Sequence, residues 1–301
     1  MLEKRFLGDI MRTAALTYGE MMKELDALCG EYPFFNRSVI GRSLVGREIP
    51  LISVGEGKKA VLFVGTHHGM EWITSALLLD FLRDVGKELE RRGNLSVVLE
   101  NRTLCVVPML NPDGVELQIN GKDELNPLTE RLQAMSGGDY SRWQANGRGV
   151  DLNHNYDAGF FEYKEYEREH GIVPGPTLYS GEHPESEPET SALCAFIRAR
   201  GIDMLIALHT QGEEIYYDYN GVVPDGGRVI AKRLSALTGY TLSEPTGSAA
   251  YGGLKDWFIK EYGLPAFTLE CGRGVNPLPI RDSDIIYKGL KNAFFSCLTA
   301  V

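Results

Sequence analysis

The sequence is short of the residues that would place it in several large classes of protein. Its five cysteines, Cys29, Cys105, Cys194, Cys271 and Cys297, are odd in number and widely spaced, with no Cys-x-x-Cys pair. That excludes a dense disulfide framework and a thiolate metal site of the finger type. Their mostly apolar settings suit reduced thiols, and the expected location is cytoplasmic. No apolar run approaches the roughly 18 residues needed to span a bilayer. Positive charge is also scarce, with 31 Lys and Arg against 41 Asp and Glu, a formal net charge of −10. A surface of that sign argues against nucleic acid or an anionic membrane as a partner, although a local basic pocket stays compatible with it. Lys4, Arg5, Asp9 and Arg12 leave no apolar core for a secretory signal. Internal repeats, low-complexity tracts and linkers are absent.

What is present is an alternation of buried strands and amphipathic helices over 301 residues, of which 43% are hydrophobic. Residues 16–30 have a helical apolar period through Met21, Met22, Leu25 and Leu28. Residues 38–54 read as two short strands around the turn Gly41-Arg-Ser-Leu-Val-Gly46. Continuous apolar runs at 60–64, 104–108, 204–208 and 266–269 read as buried strands. Residues 71–90, 190–200, 228–237, 254–261 and 284–298 read as helices, and the polar stretches 121–149 and 157–187 as long loops. The pattern predicts one α/β/α domain over residues 1–301, with 1–34 as a helical lead-in. In open α/β sheets, ligands gather at the carboxyl ends of strands.

Histidine is rare, with six in the chain, so each one can be weighed. His68 and Glu71 share the stretch Gly65-Thr-His-His-Gly-Met-Glu-Trp72 after one strand, and His209 ends another in Leu208-His-Thr-Gln-Gly212. Two nitrogens and a carboxylate, with a fourth position left for water, form a catalytic zinc set. Taken alone, His-x-x-Glu is also what a surface histidine and a helix-start glutamate would give. Burial of an unpaired imidazole at His209 is costly, and a ligand role removes that cost. His67 offers a second register on spacing. His170 and His183 lie in polar sequence typical of solvated side chains. Glu270 ends a further apolar run and stands as a candidate general base.

These residues resemble the zinc metallocarboxypeptidases (peptidase family M14). The motifs run in order from Gly65–Trp72 through Asn111-Pro-Asp-Gly114, Gly149-Val-Asp-Leu-Asn153, Tyr179-Ser-Gly181 with Ser186-Glu-Pro-Glu189, and Leu208-His209. They continue through Gly252-Gly-Leu-Lys-Asp-Trp257 to Thr268-Leu-Glu270. The resemblance implies an α/β/α sandwich with a mixed, mainly parallel eight-stranded sheet and one zinc ion. It implies His68, Glu71 and His209 as ligands, Glu270 as the base and Asp151 as the carboxylate that orients a ligand histidine.

The departures point to the substrate. The family's Asn-Arg pair for a terminal carboxylate reads Asn153-His154 here, and an imidazole lacks the guanidinium fork. A protonated His154 would still bind a carboxylate weakly. The oxyanion arginine aligns with Gln144, leaving Arg148, or Arg142, to substitute from the same loop. Ser248 replaces the usual tyrosine, with Tyr251 nearby. The specificity position carries Lys255, and with Arg273 it suggests an acidic group on the substrate; the alternative for Lys255 is a solvated helix-start lysine. Together the departures look most like the bacterial γ-D-glutamyl-diaminopimelate peptidases of the family. The expected partner is therefore a small, multiply carboxylated muropeptide, met in cytoplasmic recycling. A conventional carboxypeptidase, an N-acyl amino acid deacylase and a non-catalytic peptide binder are the alternatives.

Overall fold

The computed structural model describes residues 12–300, apart from the side chain of Ala249. Lys4, Arg5 and Asp9, read above against a secretory signal, lie outside them. The strands are β1 (Asn36–Arg42), β2 (Glu48–Val54), β3 (Lys59–Val64), β4 (Arg102–Val107), β5 (Met204–His209), β6 (Glu214–Tyr216), β7 (Thr241–Leu242) and β8 (Ala266–Glu270). They form one sheet in the order β1-β2-β4-β3-β5-β8-β6-β7. The neighbours β4, β3, β5 and β8 run parallel, while β1, β2 and β6 join them antiparallel.

The strand period of two decides how the sheet is covered. In β3, Val61 and Phe63 enter one core while Ala60, Leu62 and Val64 enter the other; in β5, Met204, Ile206 and Leu208 oppose Leu205 and Ala207. A strand apolar on both faces belongs at the centre of a three-layer sandwich. The first core packs α1 (Tyr18–Glu31), α2 (Ile73–Glu90), α8 (Gly227–Thr238) and α10 (Ser283–Cys297) on the sheet. The second takes α7 (Pro188–Arg200) and α9 (Leu254–Tyr262). Among the described residues, no helix is long and apolar enough to cross a membrane.

Four further helices lie where the sequence read turn, loop or nothing regular. They are α3 (Asn94–Glu100), α4 (Pro112–Asn120), α5 (Thr129–Ser136) and α6 (Phe160–His170). The Asn111-Pro-Asp-Gly114 segment starts α4 rather than only turning the chain. Asn111 caps it by accepting from the Gly114 amide at 2.9 Å, and Pro112 supplies the fixed φ of a first helical residue.

Phe63 is fully buried between Phe81 and Phe294, with ring centroids at 5.1 and 5.3 Å. Phe63→Ala should cost about 3–5 kcal/mol of stability, because the rigid walls of the core do not close the void. Chemical denaturation would read this as a lower midpoint with an unchanged slope.

Candidate metal centre and active site

Three neighbouring strands deliver the site. β3, β5 and β8 end side by side, and His209 of β5 is directly opposite Glu270 of β8. Beyond β3 the chain must turn sharply. Thr66 takes a φ of 55°, a conformation disfavoured for a residue with a Cβ. Buried hydrogen bonds hold it there: its amide donates to Thr74 Oγ1 at 2.8 Å, and its hydroxyl pairs with Ser75 Oγ at 2.7 Å. His67 and His68 then have different fates. His67 is sealed, with Nε2 3.0 Å from the Tyr156 hydroxyl and its ring stacked on His209. His68 turns its Nδ1 to Glu71. The 3₁₀ turn Gly69–Glu71 between them fits because a Cβ on Gly69 would stand 2.4 Å from the Gly114 carbonyl oxygen.

The three candidate ligand atoms converge. His68 Nδ1 lies 2.9 Å from Glu71 Oε1, His209 Nδ1 lies 3.1 Å from Glu71 Oε2, and the two nitrogens are 3.3 Å apart. Ligands about 2.0–2.2 Å from a tetrahedral ion stand about 3.3–3.6 Å from one another, a few tenths of an ångström wider than the separations here. Two imidazole nitrogens at that distance can share at most one proton, whereas one cation satisfies both and the carboxylate as well. The residues present therefore fit zinc. On the far side of His68, Nε2 meets Asp151 Oδ1 at 3.1 Å, which commits Nδ1 to the site. Burial disfavours a charged His68, but Glu71 and Asp151 outweigh it and hold its pKa well above the ordinary value. Burial likewise opposes a charged Glu71, yet His68 and His209 bring it down to about 2. The pocket's field calls for positive charge.

Asp151 is itself fixed by the amide of Leu178 at 3.0 Å on Oδ2. Asp151→Asn should bind zinc about 10–100-fold more weakly, the usual effect of losing the carboxylate behind a ligand histidine, and lose some stability, because its amide nitrogen must face the Asn153 or Leu178 backbone amide. Competition with a metal buffer measures that ratio, and an unchanged affinity would remove Asp151 from the role.

With the geometry in hand, comparison with known proteins is direct. Residues 21–293 match the family described as zinc carboxypeptidase. The chain belongs to the zinc carboxypeptidase family. It is 36% identical over 289 residues to gamma-D-glutamyl-L-diamino acid endopeptidase 1 of Lysinibacillus sphaericus, covering 93% of this chain and 72% of that one. Human carboxypeptidase B is 28% identical, with 78% of this chain and 57% of that protein aligned. The structure of bovine thrombin-activatable fibrinolysis inhibitor in complex with tick carboxypeptidase inhibitor shares the fold at a TM-score of 0.73 and 20% identity, over 95% and 97% of the two chains. The protein is thus a zinc metallopeptidase, as the motifs implied, with one catalytic ion.

His68, Glu71 and His209 would hold that ion, which supplies acidification of a water and polarisation of a carbonyl. Glu270 stands at the end of β8, where a carboxylate oxygen would take a proton and return it to a leaving amine. Burial and then the negative charge of Glu71 push its carboxyl well above the usual range.

The other sequence-read residues divide. Gln144 is half-buried next to Asp151: its Oε1 accepts from the Thr177 hydroxyl, which also approaches Asp151 Oδ2 at 3.5 Å. Arg148 is not brought to the metal group. Its Nε donates to Glu187 Oε2 at 2.8 Å, and it borders a separate cavity of about 410 Å³ with Arg131, Tyr179 and His183. Asn153 accepts from the Leu254 amide on Oδ1 at 3.2 Å. Arg273 is exposed and paired with Glu213 at 2.6 Å. Lys255 is neither solvated nor free: it is 3% exposed, and Nζ donates to the Asp218 carbonyl and to Asp256 Oδ1. Tyr251 gives its carbonyl to His154 Nδ1 at 2.8 Å.

Thr66, Tyr156, Thr177 and Asn276 were missed. Asn276 accepts from the Thr210 hydroxyl at 2.7 Å, donates to the Thr210 carbonyl at 2.7 Å and reaches Glu71 Oε1 at 3.5 Å. Thr66 carried a signal, since it lies inside the run Gly65–Trp72 on which the resemblance rests; Tyr156, Thr177 and Asn276 stand outside the motifs read from the sequence.

Proposed function

We propose that this zinc peptidase hydrolyses the γ-D-glutamyl-diaminopimelate bond of peptidoglycan stem peptides, and does not depend on a free peptide C-terminus. The observation that carries the reading is the state of His154. Its ring is buried and stacked on Tyr163 at 4.2 Å and 5°. Its Nδ1 faces the Tyr251 carbonyl, an acceptor only, so the proton is on Nδ1. Burial lowers its pKa, with Asp151 opposing. A neutral imidazole of that tautomer offers a lone pair at Nε2, and a lone pair repels the carboxylate that an arginine would have bound. The similarity to an endopeptidase acting on γ-D-glutamyl-L-diamino acid bonds supports the same reading.

The test is product analysis by mass. Zinc-loaded protein should release diaminopimelate from L-Ala-γ-D-Glu-meso-diaminopimelate, at a rate that changes little when the terminal carboxylate is amidated. Loss of single C-terminal residues from ordinary peptides, with the muropeptide intact and amidation abolishing the reaction, would make it a carboxypeptidase. Hydrolysis of N-acyl glutamate or aspartate alone would make it a deacylase.

A further inference from the structure

We propose that Glu189 is a positioning residue for the metal centre, held as a neutral carboxylic acid whose proton latches the turn at residues 146–151 behind His68. Loss of that proton at alkaline pH loosens the turn and weakens zinc binding. The inference concerns the metal centre alone and holds whichever amide bond the enzyme cuts.

Four carboxylates, none more than 5% exposed, meet where α4, α7 and the turn between β1 and β2 come together: Asp113, Asp123, Glu187 and Glu189. Two cations serve them. Arg47 is committed to Asp113 at 2.8 Å and Asp123 at 2.6 Å, and Arg148 to Glu187 at 2.8 Å. Asp113 also takes the Ser43 hydroxyl at 2.7 Å and the Val45 amide at 3.1 Å. Glu189 is left over. Among the described residues no lysine or arginine bonds to it; its Oε1 accepts from the Leu44 amide and its Oε2 from Asn146 Nδ2, each at 3.3 Å. Charge-assisted bonds to a carboxylate are shorter, about 2.7–2.9 Å. Long contacts and no counter-ion are what a neutral carboxyl has. Four buried negative charges against two positive ones are costly, and a proton on the unpaired acid relieves the excess.

Asn146 supplies a second observation. Its Nδ2 donates to Glu187 Oε2 at 2.6 Å as well as to Glu189 Oε2, so two carboxyl oxygens crowd one nitrogen. A proton on Glu189 turns their repulsion into attraction, as in carboxyl pairs that share one proton. Burial, and after it the charge of Asp113, push the Glu189 carboxyl up to about 8. Glu187 adds to this, while the Glu189 amide and Asn146 oppose it.

Asn146 also carries the latch to the metal centre. Its Oδ1 accepts from the Arg148 amide at 3.0 Å and the Val150 amide at 3.1 Å, which fixes the turn that ends in Asp151. Asp151 Oδ1 in turn meets His68 Nε2 at 3.1 Å. With Glu189 ionised, two charges face each other across the Asn146 amide, and the side chain that ties the turn is pushed from its place.

The direction of the pH effect follows from linkage. The folded value, about 8, lies above the unfolded one of about 4.3. The stability due to the protonated acid is therefore complete below the unfolded value and is lost as pH rises through the folded one. In the metal-free protein Glu189→Gln, neutral at every pH, should melt several degrees above the parent at about pH 8, with the gap shrinking toward about pH 5. The zinc affinity of the parent relative to Glu189→Gln, read against a metal buffer, should be near equal at about pH 6 and about tenfold weaker by about pH 9. Taking the ratio cancels the titration of the ligands themselves. Infrared titration of the zinc-loaded protein reads the proton directly. One carboxylic-acid carbonyl band should vanish with a midpoint near pH 8, in the parent and in Glu270→Gln, and be missing from Glu189→Gln. A melting gap or a zinc ratio that does not change with pH, or a band that is absent or is lost with Glu270→Gln, would each overturn the proposal. So would failure of Glu189→Gln to fold where the parent is stable, since glutamine keeps the neutral state.

Discussion

Glu270→Gln should retain one zinc per chain and lose about 10³-fold in kcat. General acid–base transfer by a positioned side chain contributes about 10²–10⁴-fold, and glutamine keeps the shape of glutamate while abolishing its ability to accept a proton. The ligand trio is left untouched, because Glu270 makes no contact within it; it is placed by register, opposite His209 across β5 and β8. Burial and the neighbouring Glu71 disfavour charge on Glu270 and raise its pKa. Glutamine removes that conflict, so the variant should not unfold more easily. Metal analysis together with single-turnover rates separates the two effects. A fall of less than tenfold with zinc in place would take the proton-transfer role away from Glu270.

Which parts could be read from the sequence follows from which physical signals are local. β3, β4, β5 and β8 are apolar on both faces, so their runs were plain, and the ligand residues sit at or just past their ends. The helices α5 and α6 were hidden for a specific reason. α5 buries only Leu132, so it has no apolar stripe to detect. α6 buries Phe160, Tyr163 and Glu167 at a helical period, but the third is a carboxylate, satisfied by Lys164 at 2.7 Å and the Ser180 amide at 2.6 Å. A buried charge whose partner lies elsewhere in the chain looks polar in sequence. The same blindness explains Lys255 and Arg148. Asp256 is next to Lys255 in sequence, but nothing there reveals that the Asp218 carbonyl, 37 residues earlier, shares the ammonium and that the pair is buried. Nothing next to Arg148 reveals Glu187, 39 residues later. The metal trio escaped this problem because its register came from ordered motifs rather than from one spacing.

Glu71→Gln should cost more zinc affinity than the about 10–100-fold expected from loss of a carboxylate behind a ligand, and should leave hydrolysis at background. Of the three ligands, Glu71 alone contributes negative charge, and its two oxygens reach both histidines. The amide is neutral and keeps only one oxygen, so the ion would lose the only anionic member of the trio. In the metal-free parent the carboxylate is also a source of stability. Its pKa in the folded state, about 2, lies below the unfolded value near 4.3. That contribution is complete above the unfolded value and disappears as pH falls through the folded one. At neutral pH the metal-free variant should therefore melt below the metal-free parent. Zinc should widen the gap. A ligand bound only by the folded state adds about 2.7 kcal/mol at a hundredfold excess over its Kd and about 4.1 kcal/mol at a thousandfold. The parent should gain several degrees on zinc addition where the variant gains little. Equal gains by parent and variant would mean that zinc is held without Glu71. Both the ligand set and the place of Glu270 beside it would then have to be redrawn around His68, His209 and Asp151.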